Sequence, residues 1–180
     1  SLLQRGRDEK GAELYYVHRI TAQFLKGIMS DAEGKESHER AAKYYEYEIR
    51  NNCGDQWDWL VAREHYLACG EMKAAAEIAF AFEDALTTWG NYELAMGLNQ
   101  ETLAHAPDER TKAVALQNIG IIHQLQGRYD EALRYYNDSL RIKQELGNQS
   151  GIASSTHQIG IIHQLQGRYD EALRYYGIVN

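Results

Sequence analysis

Apolar side chains recur at helical spacing along most of the chain. Within residues 129–140 they stand at i, i+3, i+4, i+7 and i+11, which aligns them on one face of an amphipathic helix. Turn-forming residues interrupt the pattern roughly every 17 to 20 residues, at Gly70, Gly90, Pro107, Gly127, Gly147 and Gly167. The segments between them predict helices stacked as antiparallel hairpins, over 71–89, 91–106, 108–126, 129–146, 150–166 and 169–176.

The first part of the chain has a weaker pattern. Two short apolar runs flank a charged turn within residues 1–17 and predict a β-hairpin. Apolar residues at i, i+4 and i+8 then predict a helix over 18–29. After a polar connection, Ser37 is the predicted N-cap of the next helix, and Asp55 is the predicted N-cap of a helix that ends at Gly70.

One stretch of the chain is duplicated without change. Residues 119–136, IGIIHQLQGRYDEALRYY, recur as residues 159–176, 40 residues further on. Such a copy is the signature of a repeat protein, in which each unit buries its apolar face only against its neighbours. We therefore predict an all-α fold in which helical hairpins form a right-handed superhelical solenoid. Within each unit, Gly120 on the first helix is predicted to face Ala132 on the second.

The duplicated block resembles the tetratricopeptide repeat. The residues that carry the resemblance are Gly120, Gly127, Tyr129, Ala132 and Tyr136, with their copies Gly160, Gly167, Tyr169, Ala172 and Tyr176. His123 and His163 depart from the pattern, which usually has an aromatic residue there, and the period of 40 exceeds the commoner one of about 34. The longer unit is similar to the repeats of kinesin light chains, spindle-orienting adaptors and many bacterial signalling proteins. The resemblance is strong over residues 109–176.

The upstream part resembles another family. The segments LYYVHRITAQFLKGI and HERAAKYYEYEI, followed by a Trp-containing helix, are similar to bacterial STAND-class signalling ATPases. In those proteins a winged-helix domain follows the nucleotide-binding module and leads into a repeat sensor. The two resemblances imply three parts: residues 1–29 as the possible end of a winged-helix domain, 30–106 as degenerate tetratricopeptide-like hairpins, and 107–180 as regular repeats, the last one truncated. Because the chain starts without Met and stops within a repeat, we expect a longer parent protein.

Composition and charge narrow the function. Apolar residues make up 44% and charged residues 25% of the chain, as in ordinary folded proteins. The formal net charge of −7 and the lack of a basic run disfavour a nucleic-acid partner. No apolar window of about 18 residues and no signal-peptide pattern occurs, so we predict a cytoplasmic location and no membrane partner. Cys53 and Cys69 are interpreted as reduced thiols, since they form neither a C-x-x-C pair nor a zinc site.

The resemblance to the tetratricopeptide repeat also implies a binding face. In that fold the first helix of each hairpin lines a concave groove, and the matching positions here are Gln117, Ile121, Gln124, His157, Ile161 and Gln164. These side chains would suit an extended peptide, since Gln both donates to and accepts from main-chain groups. The alternative is a solvated face without a ligand. The positions carry no Lys or Arg, which disfavours the acidic C-terminal ligands of some family members.

The sequence predicts neither a catalytic site nor a metal site. His123 and His163 occupy equivalent helices one repeat apart, so we expect them to pack in the core, each with one ring nitrogen satisfied, and not to share a metal ion. Asp130 and Glu131 begin a helix, where negative charge is favourable. The glycines near Lys35 lack the spacing of a phosphate-binding loop.

These observations favour a non-enzymatic scaffold. We predict recognition of a protein or peptide ligand without a cofactor, in the sensor or partner-binding arm of a larger signalling protein. Two alternatives stay open. One is an autoinhibitory segment of a STAND-type ATPase whose catalytic module lies outside this chain, and the other is a structural module that self-associates through the ends of the solenoid.

Overall fold

Two short strands and a series of helices make up the described chain. The computed structural model describes residues 3–7, 13–17, 30–51 and 57–177. Strand β1 (Leu3–Arg7) pairs antiparallel with β2 (Glu13–Val17), and their registers place Leu3 opposite Val17. This pairing falls in the segment for which the sequence predicts a hairpin, while its assignment to a winged-helix domain stays a prediction. The predicted helix over 18–29 lies outside the described residues.

Beyond residue 30 the described chain is helical. The helix ends agree within one or two residues with the predicted ends from residue 71 onward, because Gly or a polar cap stands at each boundary. The helices are α1 (Asp31–Arg50), α2 (Asp58–Cys69), α3 (Met72–Thr88), α4 (Tyr92–Ala104), α5 (Glu109–Leu125), α6 (Tyr129–Glu145), α7 (Gln149–Leu165) and α8 (Tyr169–Tyr175).

The start of α1 differs from the prediction. The predicted N-cap, Ser37, lies inside the helix, and the observed N-cap is Ser30. The Ser30 hydroxyl accepts from the backbone N–H of Glu33 at 3.3 Å, and the Glu33 carboxylate accepts from the backbone N–H of Ser30 at 2.8 Å. This capping box satisfies two backbone donors at the helix start, which Ser37 within the helix cannot do. Helix α2 likewise begins at Asp58, three residues after the predicted cap.

The helices stack one after another. Each contacts chiefly the helix before it and the helix after it, and the most extensive contacts join α1 to α2 and α5 to α6. The buried side chains accordingly form a row of small clusters, centred on Tyr66, Phe82, Leu116 and Tyr136. Such a row of nearest-neighbour cores is typical of helical repeat proteins.

Gly120 faces an aromatic ring in the structure. A Cβ atom added to Gly120 would lie 2.7 Å from Cδ1 and Cε1 of Tyr136, which is fully buried. The missing side chain makes room for the Tyr136 ring, which lies one helical turn after Ala132 on α6. The predicted pairing of Gly120 with Ala132 itself stays a prediction. Gly160 and Tyr176 repeat the arrangement in the second copy. At the turns, Gly127 and Gly167 adopt φ of 72° and 73°, a conformation that few other residues tolerate.

Candidate functional site

A cavity of about 300 Å³ opens between α5 and α7, above the end of α6. Its wall consists of one stripe from each first helix of a hairpin, together with the end of α6 and the turn that follows it. We call it the α5–α7 cavity. The lining residues are Arg110, Ala113, Val114, Gln117, Lys143, Leu146, Asn148, Ser150, Gly151 and Ser154.

None of these lining residues belongs to the duplicated block. Those on α5 precede residue 119, and the others fall between residues 136 and 159. At 40-residue spacing, Arg110 corresponds to Ser150 and Val114 corresponds to Ser154. The identical blocks thus contribute to the packing of the hairpins, and residues outside them line the cavity.

A polar network at the cavity joins three helices. The Lys143 ammonium on α6 donates to Gln117 Oε1 on α5 and, at 2.9 Å, to Ser155 Oγ on α7. Ser155 also donates to Gln117 Oε1 at 3.2 Å, and Gln117 Nε2 donates to Ser154 Oγ at 3.3 Å. Lys143 is only 5% exposed. The network fixes the Gln117 side chain at the edge of the cavity.

The charge of the cavity wall is positive. Burial lowers the pKa of Lys143 to about 8, so the ammonium is still mostly protonated at neutral pH. Arg110 supplies a second cation, and no lining residue described for this cavity is acidic. Among the described residues, no salt bridge joins either cation to a carboxylate. The neighbouring cavity of about 290 Å³ differs, because Asp108 and Glu77 accompany Lys73 and Arg110 there.

The start of α7 shapes one side of the α5–α7 cavity. Asn148 is the N-cap, and its side-chain oxygen accepts from the backbone N–H of Gly151 at 3.0 Å. A Cβ atom at Gly151 would lie 2.6 Å from Asn148 Nδ2 and 2.9 Å from Lys143 Cδ. Gly151 therefore permits the close approach of the Lys143 stem to the first turn of α7.

Comparisons with known proteins agree with this arrangement of helices. Residues 111–177 match the family model described as tetratricopeptide repeat. Among curated proteins, a 57-residue stretch is 39% identical to the photosystem I assembly protein Ycf3 of Acaryochloris marina (strain MBIC 11017). That stretch covers 32% of this chain and 34% of the Ycf3 protein.

Two solved structures extend the similarity over most of the chain. The apo form of RapI superimposes with a TM-score of 0.63 at 18% identity, over 88% of this chain and 58% of RapI. A Rap protein complexed with Competence and Sporulation Factor gives a TM-score of 0.62 at 21% identity, over 88% of this chain and 45% of that protein. The chain thus spans about a third of its curated relative and about half of these structures. At such identities the structural likeness describes the fold alone.

The six residues predicted for the tetratricopeptide groove occupy different surroundings. Gln117 lines the α5–α7 cavity. Ile121 is half-buried against the cluster around Tyr136, Ile161 is also half-buried, and His157 is exposed with its ring centroid 5.5 Å from that of Tyr176. The carboxamide oxygens of Gln124 and Gln164 accept from the hydroxyls of Tyr136 and Tyr176, at 2.7 and 3.0 Å. Of the six, only Gln117 lines this cavity.

Helical spacing nevertheless connects these positions with the cavity. Val114, Gln117, Ile121 and Gln124 follow one another at three- and four-residue steps on α5, so they lie on one face. Ser154, His157, Ile161 and Gln164 do the same on α7. The α5–α7 cavity therefore occupies the N-terminal part of the face that the tetratricopeptide resemblance implies. That a ligand also contacts the other five predicted groove positions stays a prediction.

Sequence reasoning missed the two cations of the cavity. Lys143 stands near the end of an amphipathic helix, where lysine is usually solvated, and its burial follows from the packing of α7 over it. Arg110 stands in the first turn of α5, before the duplicated block. The only signal was the difference between the two repeats at positions 110, 114 and 117. That difference indicates which positions vary between the repeats, but it does not predict that they line a positively charged cavity.

His123 and His163 pack in the core, as predicted. Their rings stack on Tyr135 and Tyr175 with centroids 5.2 and 5.1 Å apart. Among the described residues, their Nδ1 atoms are buried without a hydrogen-bond partner, whereas their Nε2 atoms are not among the buried atoms that lack one. The expectation that one ring nitrogen is satisfied therefore stays a prediction, and it can concern only Nε2. Burial lowers the pKa of both imidazoles, with Arg128 acting in the same direction on His123.

A second buried polar cluster joins α3, α4 and α5. The Glu83 carboxylate accepts from Asn99 Nδ2 at 3.1 Å and from Asn118 Nδ2. The pKa of Glu83 is raised to about 7, chiefly by burial and in part by the nearby Asp84, while the two amide hydrogen bonds act in the opposite direction. This cluster lies away from the α5–α7 cavity and ties neighbouring hairpins together.

Within the described part of the chain, no group of three or more His, Cys, Asp and Glu side chains could hold a metal ion. None of its helices combines the length and the apolar character needed to span a membrane.

Proposed function

We propose that this chain is a non-enzymatic recognition scaffold that binds an extended protein or peptide segment along the face shared by α5 and α7. The observation that carries the proposal is the α5–α7 cavity, whose lining avoids the duplicated blocks. Its volume of about 300 Å³ is at the small end of ligand pockets, which measure roughly 300 to 1,000 Å³. That volume suits one or two side chains of a longer ligand.

The chemistry of the wall supports a peptide ligand. Gln117, Asn148, Ser150 and Ser154 offer neutral donors and acceptors that match main-chain amides, while Val114 and Leu146 offer apolar contacts. A groove that combines these groups recognises an extended segment through its backbone and one or two side chains. The match of residues 111–177 to the tetratricopeptide repeat and the folds of the Rap proteins support the same class of function.

The test is a selection of random peptides displayed on phage against the 180-residue chain, followed by calorimetry of selected peptides. Ser154→Trp fills the cavity from an exposed position on α7, and we expect it to weaken binding at least tenfold. Ser37→Trp, on the exposed surface of α1, is the matched control and should leave the affinity unchanged. Failure to select any peptide, or equal losses in the two variants, would count against the proposal.

The finer assignment to a signalling protein is also a proposal. It rests on the resemblance of residues 1 to about 105 to STAND-class ATPases, in which this chain would hold the catalytic module closed. The coding sequence upstream of Ser1 decides the matter, since a STAND ATPase requires a G-x-x-x-x-G-K-[ST] loop within the preceding few hundred residues.

Self-association is a second candidate function. Tyr169 on α8 is 65% exposed, whereas its copy Tyr129 is half-buried beneath neighbouring helices. An exposed aromatic ring of this kind could contact a second copy of the chain. Light scattering over a hundredfold range of protein concentration tests this idea, and a constant monomer mass would remove it.

A further inference from the structure

The α5–α7 cavity contains two cationic side chains and no described acidic partner for them. Its lining includes Lys143 and Arg110 together with residues that carry hydroxyl and amide groups. The adjacent cavity that Arg110 also lines is balanced by Asp108 and Glu77. Of these two neighbouring cavities, the one between α5 and α7 therefore has the positive character, although the chain as a whole has a net charge of −7.

The burial of Lys143 is unfavourable in the free protein. Taking an ammonium group out of water without a counter-ion costs free energy, and hydrogen bonds to neutral groups compensate for only part of that cost. The ammonium has three donors, of which Gln117 Oε1 and Ser155 Oγ accept two among the described residues. The lowering of the Lys143 pKa to about 8 has the same cause, since burial disfavours the charged form. An anion at the third donor would relieve it.

We propose that the α5–α7 cavity is an oxyanion-binding subsite, in which Lys143 and Arg110 hold a carboxylate or phosphate group of the ligand. Lys143 provides a buried point charge, and the planar guanidinium of the exposed Arg110 closes over the group from the rim. Ser150, Ser154 and the first turn of α7 add neutral donors and the positive end of the helix dipole.

This arrangement changes the prediction from sequence. The positions of the implied groove carry no Lys or Arg, which disfavours acidic ligands on the first helices alone. The structure brings Lys143 in from α6 instead, with its ammonium directed between α5 and α7. Acidic character in the ligand is therefore compatible with this face. The inference rests on the proposed peptide-binding function only for the identity of the molecule that carries the oxyanion.

Small anions test the subsite without any knowledge of the ligand. The 180-residue chain, labelled with ¹³C and ¹⁵N, is titrated at pH 7 with sodium phosphate or sodium acetate while sodium chloride keeps the ionic strength constant. The Lys143 Cε–Hε resonances and the Gly151 amide report binding. We expect saturable chemical-shift changes with phosphate. Comparing the affinities for phosphate and acetate distinguishes a phosphorylated ligand from one that carries a carboxylate. Tighter binding of phosphate indicates a phosphorylated ligand, and comparable binding indicates a carboxylate.

Three variants assign the effect to the proposed cations. Lys143→Met should weaken phosphate binding by about tenfold or more, as expected when a charge-assisted hydrogen bond is lost, and Arg110→Gln should weaken it about threefold. Lys112→Gln is the control, because Lys112 lies on the same helix and pairs with Glu109 at 3.5 Å. If Lys143→Met fails to fold by circular dichroism, Arg110→Gln decides, since Arg110 is exposed.

The outcomes separate this inference from the proposed function. Shifts that do not saturate, or that are equal in Lys112→Gln and Arg110→Gln, overturn the oxyanion subsite even where a selected peptide binds. Saturable phosphate binding that depends on Arg110 supports the subsite even where no peptide is selected, in which case peptide recognition alone fails.

Discussion

Replacing Gly120 and Gly160 by alanine makes the same change in two copies of one sequence. In each copy the new Cβ atom would meet the ring of a tyrosine, Tyr136 or Tyr176, at less than ordinary van der Waals distance. The surroundings of the two rings differ. Tyr136 is fully buried and packs with Ile159 and Ile162, whereas Tyr176 is half-buried near the end of the described chain. Comparing the two alanine variants therefore measures how strongly the packing around each tyrosine ring opposes its displacement.

The magnitudes follow from two opposing effects. Alanine is favoured over glycine within a helix by about 1 kcal/mol, while overpacking a well-filled core costs about 1 to 3 kcal/mol. At Gly120 a Cβ atom 2.7 Å from Cδ1 of Tyr136 requires the ring to move by several tenths of an ångström against α7. We expect Gly120→Ala to lower the free energy of unfolding by up to about 2 kcal/mol. Gly160→Ala should lower it less, or raise it by up to about 1 kcal/mol, because the half-buried Tyr176 ring is less confined.

Thermal unfolding followed by circular dichroism measures the difference. A change of 1 kcal/mol shifts Tm by roughly 2 to 4 °C in a chain of this size, so a difference of about 1 to 2 kcal/mol between the two variants corresponds to about 2 to 8 °C. Because helical repeats can unfold in parts, hydrogen exchange of the α5 and α6 amides should accompany the melting curve. Adding Tyr136→Leu to Gly120→Ala removes the ring and should reduce the effect of the alanine. Equal losses for Gly120→Ala and Gly160→Ala would refute the reasoning.

Three further predictions address single polar groups. The pKa of Glu83 is raised to about 7 and so lies above its value in the unfolded chain. The free energy of unfolding should therefore fall by roughly 1 to 3 kcal/mol as pH rises from about 4.5 to 7. Thermal unfolding across this pH range should show no such fall in Glu83→Gln, and Glu77→Gln is the control. Tyr136→Phe should cost about 1 kcal/mol in urea unfolding, because its hydroxyl donates to Gln124 at 2.7 Å, and Tyr176→Phe should cost less. Asp108→Ala should cost about 1 kcal/mol and speed exchange of the Thr111 amide, which donates to Asp108 at 2.7 Å; unchanged exchange would contradict this cap.

Helix ends were predictable wherever a local residue determines them. Gly127 and Gly147 end helices because they adopt a positive φ, and Asp108 begins one because its carboxylate accepts a backbone N–H. The start of α1 was missed for a local reason as well. Ser30 and Glu33 have the spacing of a capping box, but Gly34 and Lys35 suggested a connecting loop. A single glycine within a helix costs only about 1 kcal/mol, which the cap and the remaining helix outweigh.

The buried charges could not be predicted in the same way. Lys143 is buried because α7 covers it, and Glu83 is buried where α3, α4 and α5 meet. Burial of this kind depends on which helices pack together, and no residue near Lys143 in sequence encodes it. The groove positions were inferred from the resemblance to the tetratricopeptide repeat, yet four of the six make contacts with neighbouring tyrosines or the core.

The duplication itself limits where specificity can reside. Identical blocks make the same contacts twice, as the Tyr136–Gln124 and Tyr176–Gln164 hydrogen bonds and the two histidine–tyrosine stacks demonstrate. A face built only from such blocks would offer two equivalent sites and no preferred register for an extended ligand. The unduplicated residues break this equivalence, because Arg110 and Gln117 in one unit correspond to Ser150 and His157 in the next. Lys143, which lines the cavity together with Arg110 and Gln117, adds a positive charge at this position of the face. If the proposed subsite binds an acidic group of the ligand, this charge would favour the register that places the acidic group there.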